Sequence, residues 1–233
     1  MKTVNMLNKK IPLLFGFSVL LLGACNNNKQ QAGQDVNQKD TIKAVTETAP
    51  KKTILFFGNS LTAGFGLEET SAAFPALIQK RIDSLGLPYM VVNAGVSGET
   101  SSGGNRRIDW ILKQPVDVFI LELGANDGLR GIPFGETQKN LQSIIDKVKA
   151  KNKDVKIILA GMLVPPNMGP DYSKAFKDLF PELAKKNETP FIPFILEGVA
   201  GEEKLNQGDG IHPTVEGHKI VMENVWEVLK DVL

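Results

Sequence analysis

The stretch "GDGIHPTVEGH" (208–218) sets Asp209 three residues before His212, one of only two histidines in the chain. In a glycine-bearing loop, a carboxylate at that spacing can accept from imidazole Nδ1. That bond fixes the tautomer whose Nε2 is free to act as a base. Pro213 biases His212 toward extended backbone and away from a helix interior. The other histidine, His218, falls inside a helical pattern and is expected at the surface. A base of this kind serves a nucleophile, and "TILFFGNSLTAGFG" (53–66) offers Ser60, in a Gly-Asn-Ser-Leu turn straight after an apolar run. Such a turn would lift the serine above a sheet edge and set its N–H at a helix start, where free N–H groups favour developing negative charge. The plain alternative is that Ser60 is a helix cap.

Two further segments carry groups that suit an oxyanion. "NAGVSGET" (93–100) contains Gly98, and a glycine lets a backbone N–H approach a ligand closely. "ELGANDGLRG" (122–131) contains Asn126, whose side-chain amide donates without titrating. Taken singly, the first reads equally as a common Gly-rich turn and the second as an Asn-Asp-Gly turn. Ser97 is a rival nucleophile with no supporting neighbours. Other motifs fail: position 62 is Thr rather than the second Gly of a G-x-S-x-G elbow, and no Gly-Lys-Ser/Thr follows. Glu69 also stands where a dinucleotide fingerprint needs its third glycine, so a nucleotide-binding reading lacks its motif. A metal site needs more ligands than Asp209 and His212 supply, so neither metal nor cofactor is expected.

The elements that must position these groups are short apolar runs alternating with amphipathic ones. Strands are predicted at 53–57, 89–93, 117–123, 155–160 and 190–194, continuously apolar as expected for strands covered on both faces. Leu141, Ile144, Ile145 and Val148 mark one helix face, and Val221, Val225, Trp226, Leu229 and Val232 another. Alternating β and α segments predict a parallel, doubly wound sheet, in which sites form beyond the carboxyl ends of the strands. Each candidate cluster falls after a strand or just before the last helix. Together they form a parts list for acyl transfer.

On these four motifs, in this order and at this spacing, the chain resembles the SGNH (GDSL-type) hydrolase family across nearly all of residues 53–231. Within it, the likeness is to the bacterial multifunctional thioesterase/arylesterase/lysophospholipase branch. The resemblance implies that Ser60 is the nucleophile and that Asp209 and His212 complete a triad. It implies that Gly98 and Asn126 join the Ser60 N–H in the oxyanion hole. It also implies a three-layer α/β/α sandwich, flavodoxin-like, around a central parallel sheet of about five strands. The stretches 127–131 and 163–169, with Leu129, Val164 and Pro165, correspond to segments bordering an acyl-chain cleft. Phe65 and Met168 are further candidates for apolar contact, or else ordinary core. Two departures stand out: Asn59 replaces the usual Asp, and Ala125 replaces a usual Gly. An Asn oxygen still accepts backbone N–H bonds in an Asx-turn, but without the charge.

The amino-terminal end has a different character. Lys2, Lys9 and Lys10 precede the apolar run 11–22, which is short of the roughly 20 residues of a membrane-spanning helix. It reads as a secretion signal over residues 1–24. The sole cysteine, Cys25, follows Leu-Gly-Ala and resembles a lipobox, which implies an acylated Cys25 on an exported, membrane-anchored bacterial lipoprotein, periplasmic or at the cell surface. Residues 25–50 read as a polar tether and 51–233 as the hydrolase domain. Without the leader's three lysines, the 27 basic residues fall below the 26 acidic ones, a net of about −2 that gives no sign of a nucleic-acid partner.

The expected partners are a small acyl ester and, through Cys25, a membrane. The expected reaction is two-step ester hydrolysis through an acyl-enzyme, with aryl esters, lysophospholipids and thioesters all within reach. A carbohydrate acetyl-esterase on the same scaffold is the alternative within the enzyme class. A surface-binding lipoprotein without turnover is the alternative outside it.

Overall fold

The computed structural model describes residues 50–164 and 168–233. Cys25, the leader, the tether up to residue 49 and Pro165 lie outside those residues. Five strands form one parallel sheet: β1 (Lys52–Gly58), β2 (Tyr89–Asn93), β3 (Val118–Glu122), β4 (Lys156–Ala160) and β5 (Phe191–Ile192). Their order is β2-β1-β3-β4-β5. The chain leaves β1 for one side of the sheet and returns to β3 on the other. The crevice at this switch point therefore opens above the carboxyl ends of β1 and β3.

Among the described residues, seven helices flank the sheet: α1 (Ser60–Ala63), α2 (Phe74–Ser84), α3 (Ser101–Ile111), α4 (Ala125–Leu129), α5 (Phe134–Lys151), α6 (Pro170–Asn187) and α7 (Val215–Leu229). α2 packs with α7, while α5 packs with both α3 and α6, giving a layer on each face. Strand alternation assigns the side chains. Phe56 meets Phe74 of α2 edge-on at 5.4 Å, whereas Phe57 faces the other layer beside Phe119, 5.6 Å away. β3 is buried throughout and β1 from Ile54 onward, which is why they read as unbroken apolar runs.

The structure differs from the sequence reading at three places. β2 is an edge strand, so α2 covers one of its faces while Met90 and Val92 stay exposed at 48% and 36%. β5 is only two residues long because Pro190 and Pro193 bracket it and neither has an N–H to donate to a ladder. The third is His218, which is buried rather than at the surface. It lies on the same stripe as Val221, Met222, Val225 and Leu229, the i, i+3, i+4, i+7, i+11 face that α7 turns inward. Its Nδ1 accepts the Phe74 N–H at 3.2 Å, supplying an acceptor that Ala73, at the start of α2, cannot. Burial, with the nearby His212 adding, pushes this imidazole down to about 4, so it is a neutral structural histidine.

Candidate active site

The turn after β1 separates two roles that the sequence left open. Asn59, not Ser60, caps α1: its Oδ1 accepts the Leu61 N–H at 2.9 Å. Ser60 is left free to point at the loop before α7. Its Oγ lies 2.8 Å from His212 Nε2 and only distantly, at 3.4 Å, from Asn59 Oδ1. The Asx-turn expected of Asn at this position is present. The amide also donates from Nδ2 to the buried Glu122 carboxylate at 2.7 Å.

Asp209 and His212 meet as their spacing predicts. Asp209 Oδ2 lies 2.6 Å from His212 Nδ1, and Oδ1 accepts the backbone N–H groups of Ile211 and His212, each at 3.0 Å. The His212 side chain holds this carboxyl down at about 2, with the two N–H groups helping, so it stays an anion at ordinary pH. The loop is pinned from outside. Gln207 Nε2 donates to Phe65 O at 2.8 Å and to Pro213 O at 3.0 Å, and the Phe65 ring packs 4.7 Å from the imidazole. The Gln207–Phe65 bond ties the His212 loop to the Ser60 loop across 142 residues of sequence.

Gly98 and Asn126 arrive from the loops after β2 and β3. Gly98 has φ +76°, a left-handed conformation that favours glycine, and its carbonyl accepts from Arg130 Nη2 at 2.9 Å. The next residue, Glu99, is gripped by Arg107, whose guanidinium also reaches Ala94 O and stacks 4.0 Å above the Phe57 ring. Asn126 Nδ2 donates one hydrogen to Glu99 O at 3.0 Å, which leaves its second for the cleft. The neighbouring Asp127 is fully buried and accepts from Ser101 N at 2.8 Å and Ser101 Oγ at 2.5 Å. One carboxylate thus locks the start of α4 to the start of α3, holding Gly98 and Asn126 in register. Among the described residues neither the Ser60 nor the Gly98 N–H has a hydrogen-bond partner.

Ser60, Gly98, Asn126 and His212 line one cleft of about 610 Å³. Phe65, Leu129 and Val164 line it too, as the sequence suggested, whereas Met168 is not among its walls. Ser97 is at the rim, but the imidazole is committed to Ser60. Leu163, at the start of the stretch 163–169, lines it as well, whereas sequence reasoning missed Met162, Phe194, Leu196 and Ile211, which extend the apolar wall. Phe194 was hidden inside the run read as a strand. Ile211 was overshadowed by the histidine beside it. Among the described residues no group of three or more His, Cys, Asp or Glu side chains is placed to hold a metal ion.

Comparison with known proteins agrees with this geometry. Residues 56–220 match the GDSL-like lipase/acylhydrolase family. The chain is 41% identical over 190 residues to esterase TesA of Pseudomonas aeruginosa, spanning 81% of this chain and 93% of that protein. It is 38% identical over 176 residues to thioesterase 1/protease 1/lysophospholipase L1 of Escherichia coli, spanning 75% of this chain and 82% of that protein. Among solved structures it superposes on the psychrotrophic esterase EstA from Pseudoalteromonas sp., in a form inhibited by monoethylphosphonate. That match has a TM-score of 0.73 and 33% identity, and covers 78% of this chain and 98% of the other. The chain therefore belongs to the GDSL-like lipase/acylhydrolase family and is an enzyme of ester hydrolysis.

Proposed function

We propose that this enzyme cleaves esters of medium or long acyl chains through a covalent acyl-Ser60 intermediate. The observation that carries the reading is the run of contacts Ser60 Oγ–His212 Nε2 and His212 Nδ1–Asp209 Oδ2, at 2.8 and 2.6 Å, in the wall of an apolar cleft. His212 Nε2 takes the Ser60 proton as Oγ bonds to the acyl carbon. The carbonyl pair moves to oxygen, where the N–H groups of Ser60 and Gly98 and the free Asn126 amide hydrogen receive the charge. Collapse expels the alcohol or thiol, which takes the proton from His212. Water then repeats the sequence on the acyl-enzyme and releases the acid. Asp209 holds the imidazole in the tautomer that both steps need.

Substrate size follows from the cleft. An acetyl group occupies little of about 610 Å³ walled by Leu129, Met162, Leu163, Phe194 and Leu196, which favours an acyl chain over the carbohydrate acetyl-ester alternative. Relatives named esterase, thioesterase and lysophospholipase point to acyl esters, thioesters and single-chain phospholipids as the classes to try. The test is a series of p-nitrophenyl esters from acetate to palmitate. kcat/KM is expected to rise from acetate to a medium or long chain; a sharp preference for acetate transfers the assignment to the acetyl-ester alternative.

We also propose that Cys25 carries the lipid that keeps the enzyme at a membrane, on the strength of the Leu-Gly-Ala-Cys sequence behind its basic and apolar leader. Each buried methylene contributes about 0.8 kcal/mol, so two or more chains give stable anchoring. Cys25→Ser is expected to leave the membrane fraction on cell fractionation; unchanged partitioning overturns the anchor.

A further inference from the structure

Glu122, the last residue of β3, lies 1% exposed beneath the nucleophile turn and has no part in the reaction steps above. Both its oxygens are engaged, and every donor comes from residues flanking Ser60. Oε2 accepts the Asn59 N–H at 3.1 Å and the Thr62 hydroxyl at 2.8 Å, while Oε1 accepts Asn59 Nδ2 at 2.7 Å. The site is built for it. A Cβ on Gly58, paired with Glu122 across the sheet, would stand 2.5 Å from Oε2 and 2.1 Å from Thr62 Oγ1. The bonds also run onward, since the amide held at Nδ2 is thereby aimed to present Oδ1 to the Leu61 N–H.

We infer that Glu122 is a positioning residue for the nucleophile, an anion that holds Asn59 and Thr62 from below so that the N–H and Oγ of Ser60 face the cleft. The inference rests on Ser60 being the nucleophile. No cation among the described residues pairs with Glu122. β1 and β4 carry only Lys52 and Lys156, at their far ends, and Lys80, Arg81 and Asp83 lie in the last turns of α2. On α7, Glu216 and Lys219 pair with each other at the surface, and His218 is neutral and bonded to Phe74. Arg107 stacks on Phe57, whose side chain leaves the opposite face of β1. For stability alone, a buried carboxylate without a cation is a poor choice, because an apolar residue there is less costly to bury. What the carboxylate offers is acceptor sites on both oxygens and no donor, matched to three converging donors.

This arrangement is sensitive to one proton. Burial pushes Glu122 up to about 7, against the opposing pull of the Thr62 and Asn59 bonds. A proton on Oε1 faces Asn59 Nδ2 and forces that amide to flip, which takes the acceptor away from the Leu61 N–H. A proton on Oε2 weakens the hold on the Asn59 N–H. Either way the turn loosens, so full turnover requires Glu122 ionised as well as His212 neutral.

The test is kcat and KM for a p-nitrophenyl ester from pH 5 to 9, on the wild type, Glu122→Gln and Thr62→Val, with Ser60→Ala alongside. The acid limb of wild-type kcat should fall with a two-proton slope. Glu122→Gln should lower kcat by about 10²-fold, as expected for a misplaced reacting atom, with KM unchanged and a one-proton limb. Thr62→Val removes a bond made more strongly to the anion than to the acid, so its limb should move to higher pH. A one-proton limb in the wild type, or wild-type kcat in Glu122→Gln, overturns the inference. If Glu122→Gln does not fold, an unmoved limb in Thr62→Val overturns it. Turnover surviving in Ser60→Ala would instead sink the acyl-Ser60 reading itself.

Discussion

Ser60→Ala is expected to abolish ester turnover and to leave the protein as stable as before. The Oγ that it removes has one short contact, 2.8 Å to His212 Nε2, and nothing structural depends on it. The turn is held instead by Asn59 on the Leu61 N–H and by Glu122 on Asn59 and Thr62. Stability should therefore change by no more than about 0.5 kcal/mol, the usual range for a substitution away from such features. The expected loss in kcat is about 10⁶-fold, as when the nucleophile of a serine–histidine unit is removed. His212→Ala should lose about as much, and the double variant little more, because the two groups act as one device. Circular dichroism, urea midpoints and single-turnover assays on the three variants check this. A Ser60→Ala enzyme retaining more than about 1% of kcat cannot be reconciled with an acyl-Ser60 intermediate, nor can full additivity in the double variant.

How far the sequence foretold this site depends on the range of the interactions involved. The Asp209–His212 contact was legible because the partners are three positions apart and a glycine-bearing loop leaves the spacing intact. The positions of the central strands were legible because β3 throughout and β1 from Ile54 onward are buried and so read as apolar runs. Three features were not legible, for related reasons. The imidazole at position 218 sits on a helical stripe whose spacing pointed inward, but its polarity suggested solvent; only the Phe74 N–H, 144 residues away, explains its burial. Glu122 looked like the polar end of a strand, and its partners lie 60 and more residues upstream. The cleft wall is assembled from Met162, Phe194 and Ile211, three separate loops that no periodic pattern links. Local chemistry could be read from the chain, whereas the polar groups buried by distant contacts could not.

The second large effect concerns an amide whose orientation the loop decides. Asp209→Asn preserves size and shape, and an amide has two ways to sit. With Oδ1 kept on the Ile211 and His212 N–H groups, its NH₂ takes the place of Oδ2 and points at His212 Nδ1, 2.6 Å away in the wild type. With the amide reversed, the NH₂ would face two backbone donors, losing two bonds to keep one. The first orientation is therefore adopted. An NH₂ group against Nδ1 requires that nitrogen to carry no proton, which puts the imidazole hydrogen on Nε2, facing Ser60. The base then presents a donor where it must accept, and kcat should fall about 10⁴-fold with the loop unmoved. Asp209→Ala leaves the tautomer unforced but also leaves both loop N–H groups without an acceptor, so its loss should come with a lower urea midpoint. Imidazole nitrogen NMR on the Asn variant gives the direct check, with the proton expected on Nε2 of His212. A variant that keeps its proton on Nδ1 and turns over normally would show that Asp209 holds the loop without choosing the tautomer.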